Sequence, residues 1–356
     1  MTSFIERFAA DVRIDPQTTY LITTSANRRY AADFPSSDGI IALRGDRAVL
    51  LLDGRYYEQA AATVTAMEVR LLSVPDSDLV ACVGELGGQT VCTETAVTVA
   101  ELTRRKKQLP DYTVEPSAAL SAVLSDLRSV KQPDEIARIE AAQAVTEAAF
   151  THILGWLAPG RTELDVALEL EFFMRKNGAH GVAFDTIAVS GENSSKPHGV
   201  PTGRALQKGD LLTMDFGAQV AGYHSDMTRT VAIGPPSDEA RAVYALVLAA
   251  NEAALNVCRP GIPACEVDAA ARTVIEQAGY GDRFLHSTGH GVGVEVHEAP
   301  GLHRNNKAPL RFGNVITVEP GVYLEGCFGV RIEDMAAITE TGAKNLTSAD
   351  KQLIIL

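Results

Sequence analysis

Leu211-Leu212-Thr213-Met214-Asp215-Phe216-Gly217, followed after a short gap by Asp226-Met227-Thr228-Arg229-Thr230-Val231-Ala232-Ile233, reads as an apolar strand that ends in a carboxylate and a glycine, then a turn and a returning strand. The pattern occurs again: Val315-Ile316-Thr317-Val318-Glu319-Pro320-Gly321, a short gap, then Arg331-Ile332-Glu333-Asp334-Met335-Ala336-Ala337-Ile338. Each segment is preceded by stretches of helical periodicity. Self-similarity of this kind marks an internal duplication, so the domain is expected to be built as two halves.

Working outward, Pro133 followed by Asp134-Glu135 is a helix-start signal. Ile136, Ile139, Val145, Ala149 and Ile153 then fall on one helical face. Thr162 with Asp165 predicts a capping box, with Val166, Leu170, Phe173 and Met174 at helical spacing and Gly178 as the stop. Two further helices are expected over 238–258 and 266–278. Upstream, Ile40 to Leu43 and Ala48 to Leu52 are apolar runs separated by Gly45-Asp46, a hairpin pattern. Helices are expected from Arg55 onward and over 100–108, the latter stopped by Pro110. The whole reads as α/β (α+β), a smaller α/β domain over 1–130 followed by the duplicated domain over 131–356.

At 356 residues the chain is too long for one ordinary core, and two domains agree with that length. A net charge of −13 argues against a nucleic-acid partner and against docking to an anionic membrane surface. No apolar run approaches the roughly 18 residues needed to span a bilayer, and 1–16 lacks the apolar centre of a secretory signal, so a cytoplasmic location is expected. The five cysteines include no CxxC pair, which speaks for reduced thiols and against a disulfide framework. All eight histidines lie between His152 and His303, which confines imidazole chemistry to the second domain.

A carboxylate inside an apolar strand is costly unless its charge is compensated. One such residue could sit in solvent at a strand end or cap a helix. The same placement twice, with a second carboxylate on each returning strand, points to a shared cation between the hairpins. Side chains alternate along a strand, so only one of Glu333 and Asp334 can face the centre, and parity alone leaves the choice open. An imidazole is available from His286-Ser287-Thr288-Gly289-His290-Gly291-Val292-Gly293. Its glycines lack the GxGxxG spacing of a dinucleotide loop, and the chain has no HExxH. Oxygen donors with one imidazole suit manganese, cobalt or zinc.

Taken together, Asp215-Phe216-Gly217, Ser225-Asp226-Met227-Thr228-Arg229, the two histidines of 286–291, Val296-His297-Glu298, Glu319-Pro320-Gly321 and Arg331-Ile332-Glu333 resemble the prolidase, aminopeptidase P and creatinase family. The likeness is specific over about 130–342 and looser upstream, where Leu52-Asp53-Gly54-Arg55-Tyr56 carries it. It implies a pita-bread catalytic domain, preceded by a creatinase-like N-terminal domain. It also implies two divalent metal ions, manganese first, held by Asp215, Asp226, His290, Glu319 and Glu333, with Asp215 and Glu333 bridging. His198, His286 and His297 match substrate-handling positions, and Tyr323 and Arg331 match residues lining the site.

The implied activity is hydrolysis of the bond before proline in small peptides, by a homodimer. Glu319 would act as general base, His297 would stabilise the reacting carbonyl, and His198 and His286 would orient the substrate. A dipeptide substrate is expected, because Arg331, or Arg44 and Arg47 at the Gly45-Asp46 turn, could receive its free carboxylate. Longer peptides with proline second are the alternative. A methionine aminopeptidase shares the five ligands but fits the separate N-terminal domain poorly. A creatinase-type amidinohydrolase shares the fold without the metals, and an inactive binding module would be expected to have lost ligands or His297.

Overall fold

The computed structural model describes residues 3–356. The chain divides into two compact units between Arg128 and Ser129, two residues before the expected boundary. The first unit contains one mixed sheet of β1 (Thr19–Ile22), β2 (Ile40–Arg44), β3 (Arg47–Leu52), β4 (Glu68–Leu71), β5 (Thr90–Glu94) and β6 (Thr113–Ser117), in the order β4-β3-β2-β1-β5-β6. The predicted hairpin is β2–β3. Gly45 in its turn has φ +59°, a left-handed conformation that glycine adopts without penalty. Beside α1 (Phe4–Ala9), α2 (Ser25–Ala32) and α6 (Ala118–Ser129), the expected helices are α3 (Tyr57–Thr63) and α5 (Val99–Gln108). Leu21, Val49 and Leu51 from the sheet form one core with Leu79 and Val83 of α4 (Pro75–Leu86).

In the second unit the duplication becomes architecture. Its first half contains α7 (Pro133–Trp156), α8 (Glu163–Lys176), β7 (Gly181–Val182), β8 (Ile187–Ser190), β9 (Leu211–Phe216), β10 (Ala218–Val220), β11 (Tyr223–His224) and β12 (Met227–Ala232). The second half contains α9 (Asp238–Val257), α10 (Ala264–Gln277), β13 (Gly289–Gly291), β14 (Glu298–Leu302), β15 (Val315–Val318), β16 (Gly321–Leu324), β17 (Phe328–Arg331), β18 (Asp334–Ile338) and β19 (Ala343–Asn345). The strand β9 pairs antiparallel with β12 as β15 does with β18, and the hairpin β10–β11 corresponds to β16–β17. The predicted capping box of Thr162 and Asp165 starts α8, and Pro133 is the first residue of α7, behind a second capping box of Gln132 and Glu135.

Each half packs a helix pair on its own strands. Ile153, Leu170 and Met174 meet Leu212, Met214 and Val231 in the first. Ala254, Val267 and Ala271 meet Ile316, Val318 and Ala336 in the second. The halves are joined at duplicated positions: Arg229 and Asp334 occupy equivalent places and form an ion pair at 2.7 Å with side chains 1% and 0% exposed. Among the described residues, no helix is long and apolar enough to cross a membrane.

One local expectation is corrected. Asp226 and Glu333 are not within the returning strands. Each immediately precedes its strand, Asp226 ahead of β12 and Glu333 in the two-residue link between β17 and β18. Leaving the ladder there frees both side chains from the alternation of a strand.

Candidate metal centre

The second unit contains a cavity of about 510 Å³ whose lining includes Asp215, Asp226, His290, Glu319 and Glu333. His198, His286, His297 and Arg331 line the same cavity. Atoms of Asp226, His290 and Glu333 lie within 4.8 Å of one another, close enough for one metal ion. His290 Nε2 stands 3.6 Å from Asp226 Oδ2 and 3.3 Å from Glu319 Oε1.

Each donor is fixed by local backbone. Asp215 lies in β9, opposite Ile187 of β8. Its Oδ2 accepts from Arg331 Nη2 at 2.6 Å, while its buried Oδ1 has no hydrogen-bond partner among the described residues. Such an orphaned oxygen is costly unless a cation takes it. His290 lies on β13, where Gly289 and Gly291 have no room for a Cβ against the carbonyls of Thr317 and Ala299. Its Nδ1 donates to the Gly291 carbonyl at 3.1 Å, which leaves the Nε2 lone pair free to bind a metal. Glu333 accepts from Thr228 Oγ1 at 2.8 Å, and its backbone carbonyl accepts from Arg229 Nη1 at 2.5 Å.

The electrostatics favour binding of a cation among these carboxylates. Burial, then the neighbouring carboxylates Glu333 and Asp215, push Asp226 well above the ordinary carboxylate range. Burial with Glu319 and Asp215 does the same to Glu333. Asp215 is raised by burial against the opposing pull of Arg331. At Glu319 burial acts upward but is outweighed by the hydrogen bond and charge of His290, which bring it to about 2. Oxygen donors, one anchored imidazole, an orphaned Oδ1 and mutually repelling carboxylates together suit hard divalent cations.

A chain of hydrogen bonds runs along one side. Arg331 Nη1 donates to Tyr323 Oη at 2.7 Å, and that hydroxyl donates to His286 Nε2 at 2.8 Å. His286 Nδ1 donates to the Ser287 carbonyl at 2.8 Å, the arrangement of a neutral ring whose Nε2 accepts from Tyr323. Burial lowers the His286 pKa further and raises that of Tyr323 to about 12. Arg331 also donates from Nε to Thr228 Oγ1 and from Nη1 to the Pro197 carbonyl. Four of its five N–H groups are thus committed to the protein.

Of the choice that parity left open, Glu333 faces the cavity, while Asp334 turns the other way to Arg229 and Lys351. Arg44 and Arg47 belong to the first unit. There Arg44 donates to the Leu86 carbonyl and Gln17 Oε1, and Arg47 to the Glu85 carbonyl. Sequence reasoning missed Phe184, Ile187 and Pro197, which also line the cavity. The pairing of β8 with β9 brings Ile187 there, and apolar residues carry no chemical marker that would have singled them out.

Two family models match the chain: metallopeptidase family M24 over residues 137–340 and the creatinase/prolidase N-terminal domain over residues 17–130. The protein belongs to the M24 metallopeptidases, with a pita-bread catalytic domain behind a creatinase-type N-terminal domain. It is 36% identical to an Xaa-Pro dipeptidase of Pyrococcus furiosus, with 91% of each chain covered. It is 42% identical to an uncharacterized peptidase of Bacillus subtilis over 94% of this chain and 95% of the relative. Among solved structures, an Xaa-Pro dipeptidase from Bacillus anthracis matches with a TM-score of 0.93 at 40% identity, covering 99% of both chains. An X-Pro aminopeptidase from Thermotoga maritima matches at 0.90 and 36% identity, covering 95% of this chain and 97% of that one.

Proposed function

We propose that the protein hydrolyses the peptide bond between an N-terminal residue and proline, with dipeptides as substrates. The convergence of Asp215, Asp226, His290, Glu319 and Glu333 on one cavity carries this reading. The substrate follows the relatives named Xaa-Pro dipeptidase, which match over nearly the whole chain. Bound among these donors, two divalent cations would acidify a water molecule and polarise the scissile carbonyl. Asp226, His290 and Glu333 would hold one ion between them, and Asp215 would offer the Oδ1 that Arg331 leaves unpartnered.

The protein's own residues do the rest. Glu319, held ionised beside His290, accepts the proton of the attacking water and passes it to the leaving proline nitrogen. His297, whose ring is 4.2 Å from that of His290, donates to the carbonyl oxygen as charge develops on it. His198 and the neutral His286 orient the proline end. Phe184, Ile187 and Pro197 supply apolar surface along the cavity. Arg331 holds Asp215 and Tyr323 in place and has one N–H left for a substrate carboxylate. Retention of every donor and of His297 speaks against an inactive binding module.

Manganese as the metal, a homodimeric assembly and a cytoplasmic location complete the proposal. The donor chemistry supports the first, and elemental analysis, sedimentation and cell fractionation test the three in turn. The structural likeness to an X-Pro aminopeptidase keeps longer peptides as the second reading. Assaying Xaa-Pro against Xaa-Pro-Xaa decides between them, with the dipeptide expected to be cleaved faster. Replacing Arg44 and Arg47 separately by Ala tests the clamp expected of them from the sequence: a selective rise in dipeptide KM would support it, and an unchanged dipeptide-to-tripeptide ratio in both variants would eliminate it.

A further inference from the structure

His297 is carried by a short loop whose base is closed by a buried ion pair. The strand β13 ends at Gly291 and β14 begins at Glu298, and these two residues face each other across the ladder. The segment from Val292 to His297 is the excursion between them. At its base Lys131 Nζ lies 2.6 Å from Glu298 Oε1, with side chains 1% and 5% exposed. The carboxylate packs so closely on Gly293 that a Cβ there would overlap it. Gly293 also donates to the Glu295 carbonyl at 3.0 Å and accepts from the His224 backbone N–H at 2.9 Å. Lys131 is itself anchored, its backbone N–H donating to the Gly313 carbonyl at 2.8 Å just ahead of α7.

A buried ion pair is a poor source of net stability, because desolvation offsets its attraction. Its robust consequence is geometric: two charges in a dry setting tolerate few alternative placements. Glu298 directly follows His297 in the chain, so fixing its side chain fixes the direction from which the imidazole enters the cavity. We propose that the Lys131–Glu298 pair is a positioning device for His297, keeping it on the reacting carbonyl. The inference rests on the proposed role of His297 in peptide hydrolysis. Neither residue touches substrate; both act through the loop.

The metal-loaded protein tests this in Lys131→Met, Lys131→Arg and Glu298→Gln. Losing a partner that orients a metal-ligating side chain typically costs about 10- to 100-fold, and the same scale is taken for a partner that orients His297. Lys131→Met is expected to lose kcat in that range, with KM within about threefold and metal content unchanged. Lys131→Arg should recover most of the loss, and Glu298→Gln, which keeps the shape and an acceptor oxygen, should lose less than Lys131→Met. In a His297→Ala background, Lys131→Met should cost almost nothing more, because the residue it positions is gone. The same full loss in both backgrounds, or loss of metal in parallel with activity, would overturn the proposal. Amide hydrogen exchange gives a readout independent of turnover: Lys131→Met should accelerate exchange across 292–297 and leave β15 and β18 protected. Unchanged protection of that loop would also overturn it. A wild-type enzyme unable to cleave Xaa-Pro dipeptides would refute the activity alone, while the exchange result would still decide the positioning role.

Discussion

Replacing Arg229 by Met removes the cation that joins the two halves of the catalytic domain. The guanidinium is 1% exposed and binds Asp334 Oδ1 at 2.7 Å. It also donates to the carbonyls of Thr228 at 3.0 Å, Glu333 at 2.5 Å, Ala349 at 2.8 Å and Asp350 at 3.1 Å. Removing one member of a buried pair costs about 3–5 kcal/mol. Lys351 Nζ remains 2.8 Å from Asp334 Oδ2, so part of the charge stays compensated and the lower end, about 3 kcal/mol, applies. For a domain of this size each kcal/mol shifts the melting midpoint by about 2–4 °C, giving a fall of about 6–12 °C. The assay is thermal unfolding of wild type and variant at matched metal saturation, since bound metal itself raises the midpoint. Arg229→Lys should fall between them, because an ammonium reaches Asp334 without reproducing the planar fork. A Met variant melting within about 2 °C of wild type would refute the claim that this pair holds the halves together.

His297→Ala should lower turnover by about two to four orders of magnitude and keep its metal, whereas Glu333→Ala should lose metal. Equal metal loss in both, by elemental analysis, would place His297 among the ligands. Thiol chemistry should follow burial. Exposed Cys327 reacts first with a disulfide reagent at pH 8, followed by the half-buried Cys265. Cys82 and Cys258, pushed by burial to about 11 and about 12, and buried Cys92 should stay silent until the protein is unfolded.

The duplication was legible because Asp215 and Glu319 each close an apolar strand, a placement too costly to escape notice. The Gly45-Asp46 hairpin and the starts of α7 and α8 were legible for a similar reason, since turn and cap chemistry is local. Helix ends were displaced by a residue or two, as fraying termini allow. Strand parity could not choose between Glu333 and Asp334, and only the family resemblance did, because the choice depends on which neighbour awaits each side chain: the cavity for one, Arg229 for the other. Arg229 belongs to the quoted motif 225–229, but nothing in its own segment announces a partner in the other half. Lys131 and Glu298 are separated by 167 positions, beyond the reach of any local pattern. The cavity's apolar wall escaped for a different reason: Phe184 and Ile187 acquire meaning only once β8 is paired to β9.

The most direct test of the account is the metal content and Xaa-Pro dipeptide hydrolysis of one sample, measured before chelation, after it, and after manganese or cobalt is returned. The account predicts about two metal ions per chain in the active protein, loss of hydrolysis with their removal, and recovery on reloading. Undiminished hydrolysis by the chelated, metal-free protein would contradict it.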